Sequence, residues 1–217
     1  MTSAETADAG SPTDTRQRLL DVAKVLISRQ GFAGTSLQMI ADELGFTKAA
    51  IYYHFRTRDQ LLVAVMEPIL HQIQRVVEMA EAQRTPRTQM NAMVEGFAAV
   101  VAKNRSLAAV MVFDPGVHRV LQLQPDWGDL IGRQLGILTQ LDTGEAGVVK
   151  ATALMTGLAG AATGAPLEMD ETALIDELSD IGRRVLGLRQ PARPSDSPMR
   201  NLRGPAAGRW KDFLPEG

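Results

Sequence analysis

The chain has 217 residues and no Cys, with 45% apolar residues, 22% charged residues and a formal net charge of −2, a profile expected of a soluble globular protein of one or two domains. Without Cys there is no disulfide scaffold, thiolate zinc finger, iron–sulfur site or thiol nucleophile. Near-neutral charge excludes nucleic-acid binding by bulk electrostatics, so any such surface has to be local.

Charge is polarised along the chain: residues 14–66 carry a net +2 and residues 188–217 a net +3, which leaves −7 for the remainder. Residues 1–13 are small and polar and have neither a basic n-region nor an apolar h-region, so no secretory signal is expected and the cytoplasm is the expected location. They read as a tail, as do residues 188–217, which hold five of the eleven Pro residues. The uncharged stretch 151–167 is too short and too rich in Ala, Gly and Thr to span a bilayer, so no membrane partner is expected.

Between the tails the pattern is helical throughout. From Asp14 to Gln30, Leu19, Leu20, Ala23, Leu26 and Ile27 recur at three-and-four spacing, and Gly31 is a stop of the left-handed-cap type. Thr35-Ser36-Leu37-Gln38 matches a capping box and opens a short helix that stops at Gly45. A third helix runs from Thr47 to about Phe55. Thr57-Arg58-Asp59-Gln60 is a second capping box, and the long helix it opens contains Pro68, where a kink is expected. Thr85-Pro86 starts the next helix, and a short one follows Ser106. Asp114-Pro115-Gly116 reads as a turn. Further helices are expected from Pro125-Asp126, from Glu145 to about Gly164, and from the Asp170 cap. No strict alternation of a half-buried strand appears, so the predicted fold class is all-α with about nine helices.

Residues Ser36 to Leu62 carry the functional signal. Two short helices joined by a Gly-containing turn have the form of a helix-turn-helix packed on a third helix. The second of them combines Lys48, Tyr52, Tyr53 and His54 with the small residues Ala49 and Ala50, which let a helix enter a major groove and offer methyl contact to thymine. Lys48 and Tyr52 are four apart and share one side, where ammonium and hydroxyl can both reach phosphate. Phe46, Ile51 and Phe55 read as packing residues.

The run TSLQMIADELGFTKAAIYYHFRTRDQLL resembles the DNA-binding part of the TetR family of bacterial transcriptional regulators, in its turn Gly, its Tyr-Tyr-His-Phe end and its basic-acidic-x-Leu-Leu start of the fourth helix. The resemblance covers roughly residues 14–66 in residue type. It implies that Thr35 or Ser36 begins the second helix near a phosphate, that Gln38 reaches a base or the backbone, and that Thr47, Lys48 and Ala49 present the recognition helix to the major groove. Tyr52, Tyr53 and His54 then clamp flanking phosphates, and Arg58 stands where the family usually has Lys. By the same resemblance, residues 14–60 form the helix-turn-helix DNA-binding domain and residues 61–187 a helical ligand-binding and dimerisation domain. The implied partners are a double-stranded operator with an inverted repeat, a second copy of the chain and a small-molecule effector, with no cofactor.

In the second domain, Met90, Met93, Phe97, Met111, Phe113, Trp127 and Met155 are residues of the sort that line a pocket or fill a core. His118 and Arg105 could fix an anionic group and Asn104 a carbonyl. The three His residues show no spacing with carboxylates that suggests a metal site. Small residues recur every four positions at Ala153, Gly157, Ala161 and at Gly160, Gly164, a pattern that permits close helix approach. The family dimerises through its last two helices, which adds Leu174, Leu178 and Ile181 as candidates. An enzyme using a C-terminal cavity is a competing class, but no nucleophile–base pair, phosphate loop or metal spacing appears. A binding scaffold without small-molecule response is another.

Overall fold

The computed structural model describes residues 12–188, so the expectations for residues 1–11 and 189–217 lie outside the described residues. The described chain forms ten α-helices: α1 Pro12–Gly34, α2 Leu37–Glu43, α3 Lys48–His54, α4 Arg58–Glu81, α5 Pro86–Lys103, α6 Arg105–Phe113, α7 Pro115–Gln122, α8 Trp127–Leu138, α9 Glu145–Gly164 and α10 Glu171–Val185. The expected all-α class is found, with one helix more than expected. That helix is α7. Asp114 caps it, accepting from the Gly116 N–H at 2.8 Å and the Val117 N–H at 3.2 Å, and Pro115 takes the first helical position. Asp-Pro-Gly is therefore a cap followed by a start here, the same device as Thr85-Pro86, and not an isolated turn.

Local sequence accounts for most ends. Thr57 and Thr85 accept from the N–H groups of Gln60 and Thr88 at 3.1 and 3.2 Å, which satisfies donors that have no helical partner. Only the second is a complete capping box. Gln60 reaches one residue further back than expected, accepting from the Arg56 N–H at 3.0 Å. Helix α1 breaks at Gly31 as expected, but with φ 73° and ψ 170° it is not in a left-handed helical well, and the chain resumes helical form through Gly34. At the far end, the Leu188 N–H donates to the Arg183 carbonyl at 2.8 Å and the Gly187 N–H to the Arg184 carbonyl at 3.1 Å, closing α10. Leu188 is buried, so the packed structure extends one residue past the expected boundary at 187.

Helices α1–α3 form an N-terminal unit on which Leu19, Ala23, Ile27, Ile40, Ile51 and Leu62 converge in a common core. Helix α4 leaves that unit and runs as one helix through the exposed Pro68 into the larger bundle, where it packs along α5. Helix α5 also packs on α10, and α6 on α9. Among the described residues, two ionic ties join different helices of the bundle. The buried Arg183 bonds Asp180 at 3.1 Å and the Glu95 carboxylate of α5. Arg133 of α8 donates Nε–H and Nη2–H to the two Glu81 oxygens of α4 at 2.9 and 2.7 Å, a bidentate pair. Among the described residues no single helix is long and apolar enough to cross a membrane.

Candidate nucleic-acid interface

The site is assembled by the turn between α2 and α3. Leu37, Ile40 and Ala41 hold α2 in the core, and the chain then reverses over Leu44 to Thr47. The Gly45 N–H donates to the Asp42 carbonyl at 3.1 Å and the Phe46 N–H to the Ala41 carbonyl at 2.8 Å, with Gly45 at φ 66°. A β-carbon at that φ is penalised, which is why the turn needs Gly. Thr47 then caps α3, accepting from the Ala50 N–H at 3.3 Å.

Helix α3 has two turns, too few to be stable in water alone, and buried Ile51 and Phe55 fix it to the unit. Its other face is open. Thr47, Lys48, Ala49, Tyr52 and Tyr53 are exposed and His54 is half-buried, so the structure brings these predicted residues together on one short surface. The Lys48 ammonium lies 5.7 Å from the Tyr52 ring, in line with the expected i, i+4 pairing. Tyr53 is 80% exposed, and its ring meets that of His54 edge-on at 5.1 Å. Arg18 stacks 5.2 Å from Phe46, just before α3, and Arg16 5.3 Å from Phe55, just after it. These two Arg residues bracket the helix. Sequence reading counted them only in the net charge, because their distance from α3 in the chain hides their approach.

One predicted DNA contact is overturned by burial, and two others have partners within the protein that the sequence did not predict. Thr35 is 1% exposed and its hydroxyl donates to the Gly31 carbonyl at 2.9 Å. It cannot reach a phosphate. The cap of α2 is Ser36, which accepts from the Met39 N–H at 3.1 Å. Gln38 therefore sits one position too early to complete a capping box, and its exposed amide donates to Asp42 at 2.6 Å. Arg58 donates to the Ala33 and Thr35 carbonyls at 3.1 and 3.2 Å and stacks 4.4 Å from the Phe32 ring. Its guanidinium ties α4 to the end of α1, beyond whatever it offers to DNA.

The predicted ligand residues divide between interior and surface. Met90, Met93, Phe97 and Met111 are buried, Trp127 and Met155 half-buried, and His118 exposed. Phe113 is 59% exposed beside an open cleft of about 600 Å³ that Val110, Pro115 and Ala33 also line. Met90 lines a separate cavity of about 190 Å³ with Leu138, Leu186 and the Asp142–Lys150 pair. Arg105 is not placed as an anion site: it donates to the Ala162, Ala165 and Pro166 carbonyls at 3.1, 2.6 and 2.9 Å and so closes the C-terminal end of α9. Asn104 is taken up by Gln72 and the Val100 carbonyl at 3.1 and 2.8 Å.

Of the predicted dimer residues, Leu174 and Leu178 are buried within the protomer, because α10 turns them toward α5 and α9. Ala153, Gly157, Ala161, Gly164 and Ile181 are exposed. Gly160 is half-buried, close to the Phe113 ring.

A two-turn helix set out by a Gly-centred turn, with small, cationic and aromatic side chains facing solvent, defines a helix-turn-helix module carried on a helical domain. Residues 19–65 match the family model described as bacterial regulatory proteins, tetR family. The match lies within the N-terminal helix-turn-helix unit and the start of α4. Over 54 residues it is 46% identical to the HTH-type transcriptional regulator AcrR of Shigella flexneri, covering 25% of each chain. It is 31% identical over 134 residues to the HTH-type nicotine-responsive transcriptional repressor HdnoR of Paenarthrobacter nicotinovorans, covering 62% of this chain and 55% of that one. The chain thus spans a quarter and about half of these two curated relatives. Among solved structures, a TetR-like transcriptional regulator from Rhodococcus sp. RHA1 aligns with a TM-score of 0.59 and 25% identity over 80% of this chain and 96% of that chain. The ketosteroid transcriptional regulator KstR2 of Mycobacterium tuberculosis shares the fold, with a TM-score of 0.61 at 15% identity over 86% of this chain and 97% of its own. Both curated relatives are named as transcriptional regulators.

Proposed function

We propose that the protein is a homodimeric transcriptional repressor that binds an inverted-repeat operator through α3 and is released by a small molecule. The observation that carries this reading is the outward row Thr47, Lys48, Ala49, Tyr52 and Tyr53 on a helix fixed from behind by Ile51 and Phe55. In this reading the short side chains admit the helix to the major groove, Lys48 and Tyr52 contact phosphate, and Tyr53 and His54 contact the flanking backbone. Ser36 and Gln38 stand at the start of α2 on the same module. Residues 14–60 are the DNA-binding unit and residues 61–188 the effector and dimerisation unit.

One recognition helix reads too few base pairs for specific regulation, and a two-fold dimer supplies a second about 34–36 Å away or at a multiple of that spacing. The exposed small residues of α9 support close approach of a second copy. Effector response is supported by α4, which is continuous between the two units, and by the cavity beside Met90; HdnoR is named as nicotine-responsive. Selection of duplexes from a random pool by the whole protein, followed by titration, tests the reading through the symmetry of the sites recovered.

A further inference from the structure

Asp114 caps α7 with one carboxylate oxygen and holds the DNA-binding unit with the other. Oδ1 accepts from the Gly116 and Val117 N–H groups at 2.8 and 3.2 Å, and Oδ2 accepts from the Phe32 N–H, 82 residues earlier, at 2.9 Å. Packing at this junction is tight: a Cβ on Gly116 would lie 3.0 Å from the Phe32 ring. Arg58 also stacks on the Phe32 ring and donates to the Ala33 and Thr35 carbonyls. The segment from Gly31 to Ser36 is therefore clamped between the α6–α7 corner and the start of α4, and Ser36 at its end caps α2. Helix α3 follows from α2 through a turn fixed by its own hydrogen bonds. The orientation of α3 against the helical domain thus depends on a clamp whose other side is Asp114.

We propose that Asp114 is a positioning residue for operator binding: it touches no DNA, but its bond to Phe32 sets where each recognition helix stands relative to the dimerising domain, and so which half-site spacing the dimer accepts. This rests on the DNA-binding reading above. A side chain that only stabilised the fold would affect every duplex alike. One that positions α3 affects duplexes that require two helices at a fixed separation and spares binding of one α3 to one half-site.

Asp114→Asn separates the two oxygens' roles. Asn is a strong helix cap, so its single carbonyl can serve Gly116 and Val117, while the amide nitrogen has nothing to accept from Phe32. Asp114→Ser also keeps a capping oxygen and has no second acceptor. With duplexes selected by the wild-type protein, both variants are expected to lose about tenfold or more on the two-half-site duplex at the selected spacing. Both should bind a single half-site within about twofold of wild type and discriminate less between spacers lengthened or shortened by about 2 base pairs, with a cooperative unfolding transition retained. Unchanged spacing preference in both variants overturns the proposal. Equal losses on half-site and full duplex also overturn it, as the mark of a purely structural role. If the wild-type protein selects no duplex at all, the proposal falls together with the DNA-binding reading, and that failure is seen before any variant is made.

Discussion

Lys48 and Arg58 illustrate how differently two cations ten residues apart can be used. Lys48 is exposed on α3, its ammonium near one neutral ring, and among the described residues no carboxylate pairs with it. Arg58 is half-buried, with two N–H donations to main-chain carbonyls and a stacked phenyl ring. The exposure of Lys48 beside Tyr52 was legible in sequence because it depends on helix periodicity alone. That of Arg58 was not, since Phe32, Ala33 and Thr35 approach it only through tertiary packing. Thr35 was misread for a related reason: both it and Ser36 are good caps, but the Thr35 hydroxyl is engaged with the Gly31 carbonyl and Ser36 caps the helix. If Lys48 contacts phosphate, Lys48→Ala weakens binding to selected and unrelated duplexes alike and lowers the salt slope by about one counterion. Gel-shift titrations at several salt concentrations read both quantities. An unchanged slope would remove Lys48 from the interface.

Helices were the most legible level, because their starts are written in short polar signals and their buried faces in three-and-four spacing. Helix α7 escaped because Asp-Pro-Gly serves equally as a turn or a start, and what decides is the bond from Asp114 to two amides ahead of it. Ties between helices were not legible at all. The pair between α4 and α8 is one: its bidentate hydrogen bond from Arg133 holds the Glu81 carboxyl below the ordinary carboxylate range, against an opposing effect of burial. Since the folded-state value lies below the unfolded one, the contribution is present above the unfolded value and fades as pH falls through the folded one. Both side chains reach solvent, so the effect on stability is small and screened by salt. In Arg133→Gln the Glu81 titration should rise to the ordinary range, as NMR of its carboxyl carbon would show. A midpoint unmoved by the substitution would mean that the pair does not persist in solution.

At the level of the molecule, the N-terminal unit could be read from residue types, but the larger domain could not, since its apolar residues fit a pocket or a core equally well. The structure divides them: Met93 and Phe97 are core, Met90 and Phe113 line different cavities, and Arg105 closes α9. The α9 stripe is divided too. Gly160 adjoins Phe113 within the protomer, whereas a Cβ on Gly157 or Gly164 would meet nothing within 4 Å. Gly157→Leu therefore fits the free protomer. If α9 meets its two-fold mate, this change overpacks the contact and weakens the dimer by about 1–3 kcal/mol. Sedimentation at micromolar concentration would show the shift toward monomer, and an unaltered dimer would place the interface elsewhere.

In the proposed dimer, symmetry links the recognition helix, the α9 face and the clamp at Phe32. Selection of binding sites from a random duplex pool by the whole protein, with the stoichiometry of the recovered complex measured alongside, reads all three together. The expected result is an inverted repeat whose half-site centres lie about 34–36 Å apart or at a multiple of that spacing, bound by an even number of protomers. Recovery of no preferred sequence, or of a single unrepeated site bound by one protomer, would contradict it.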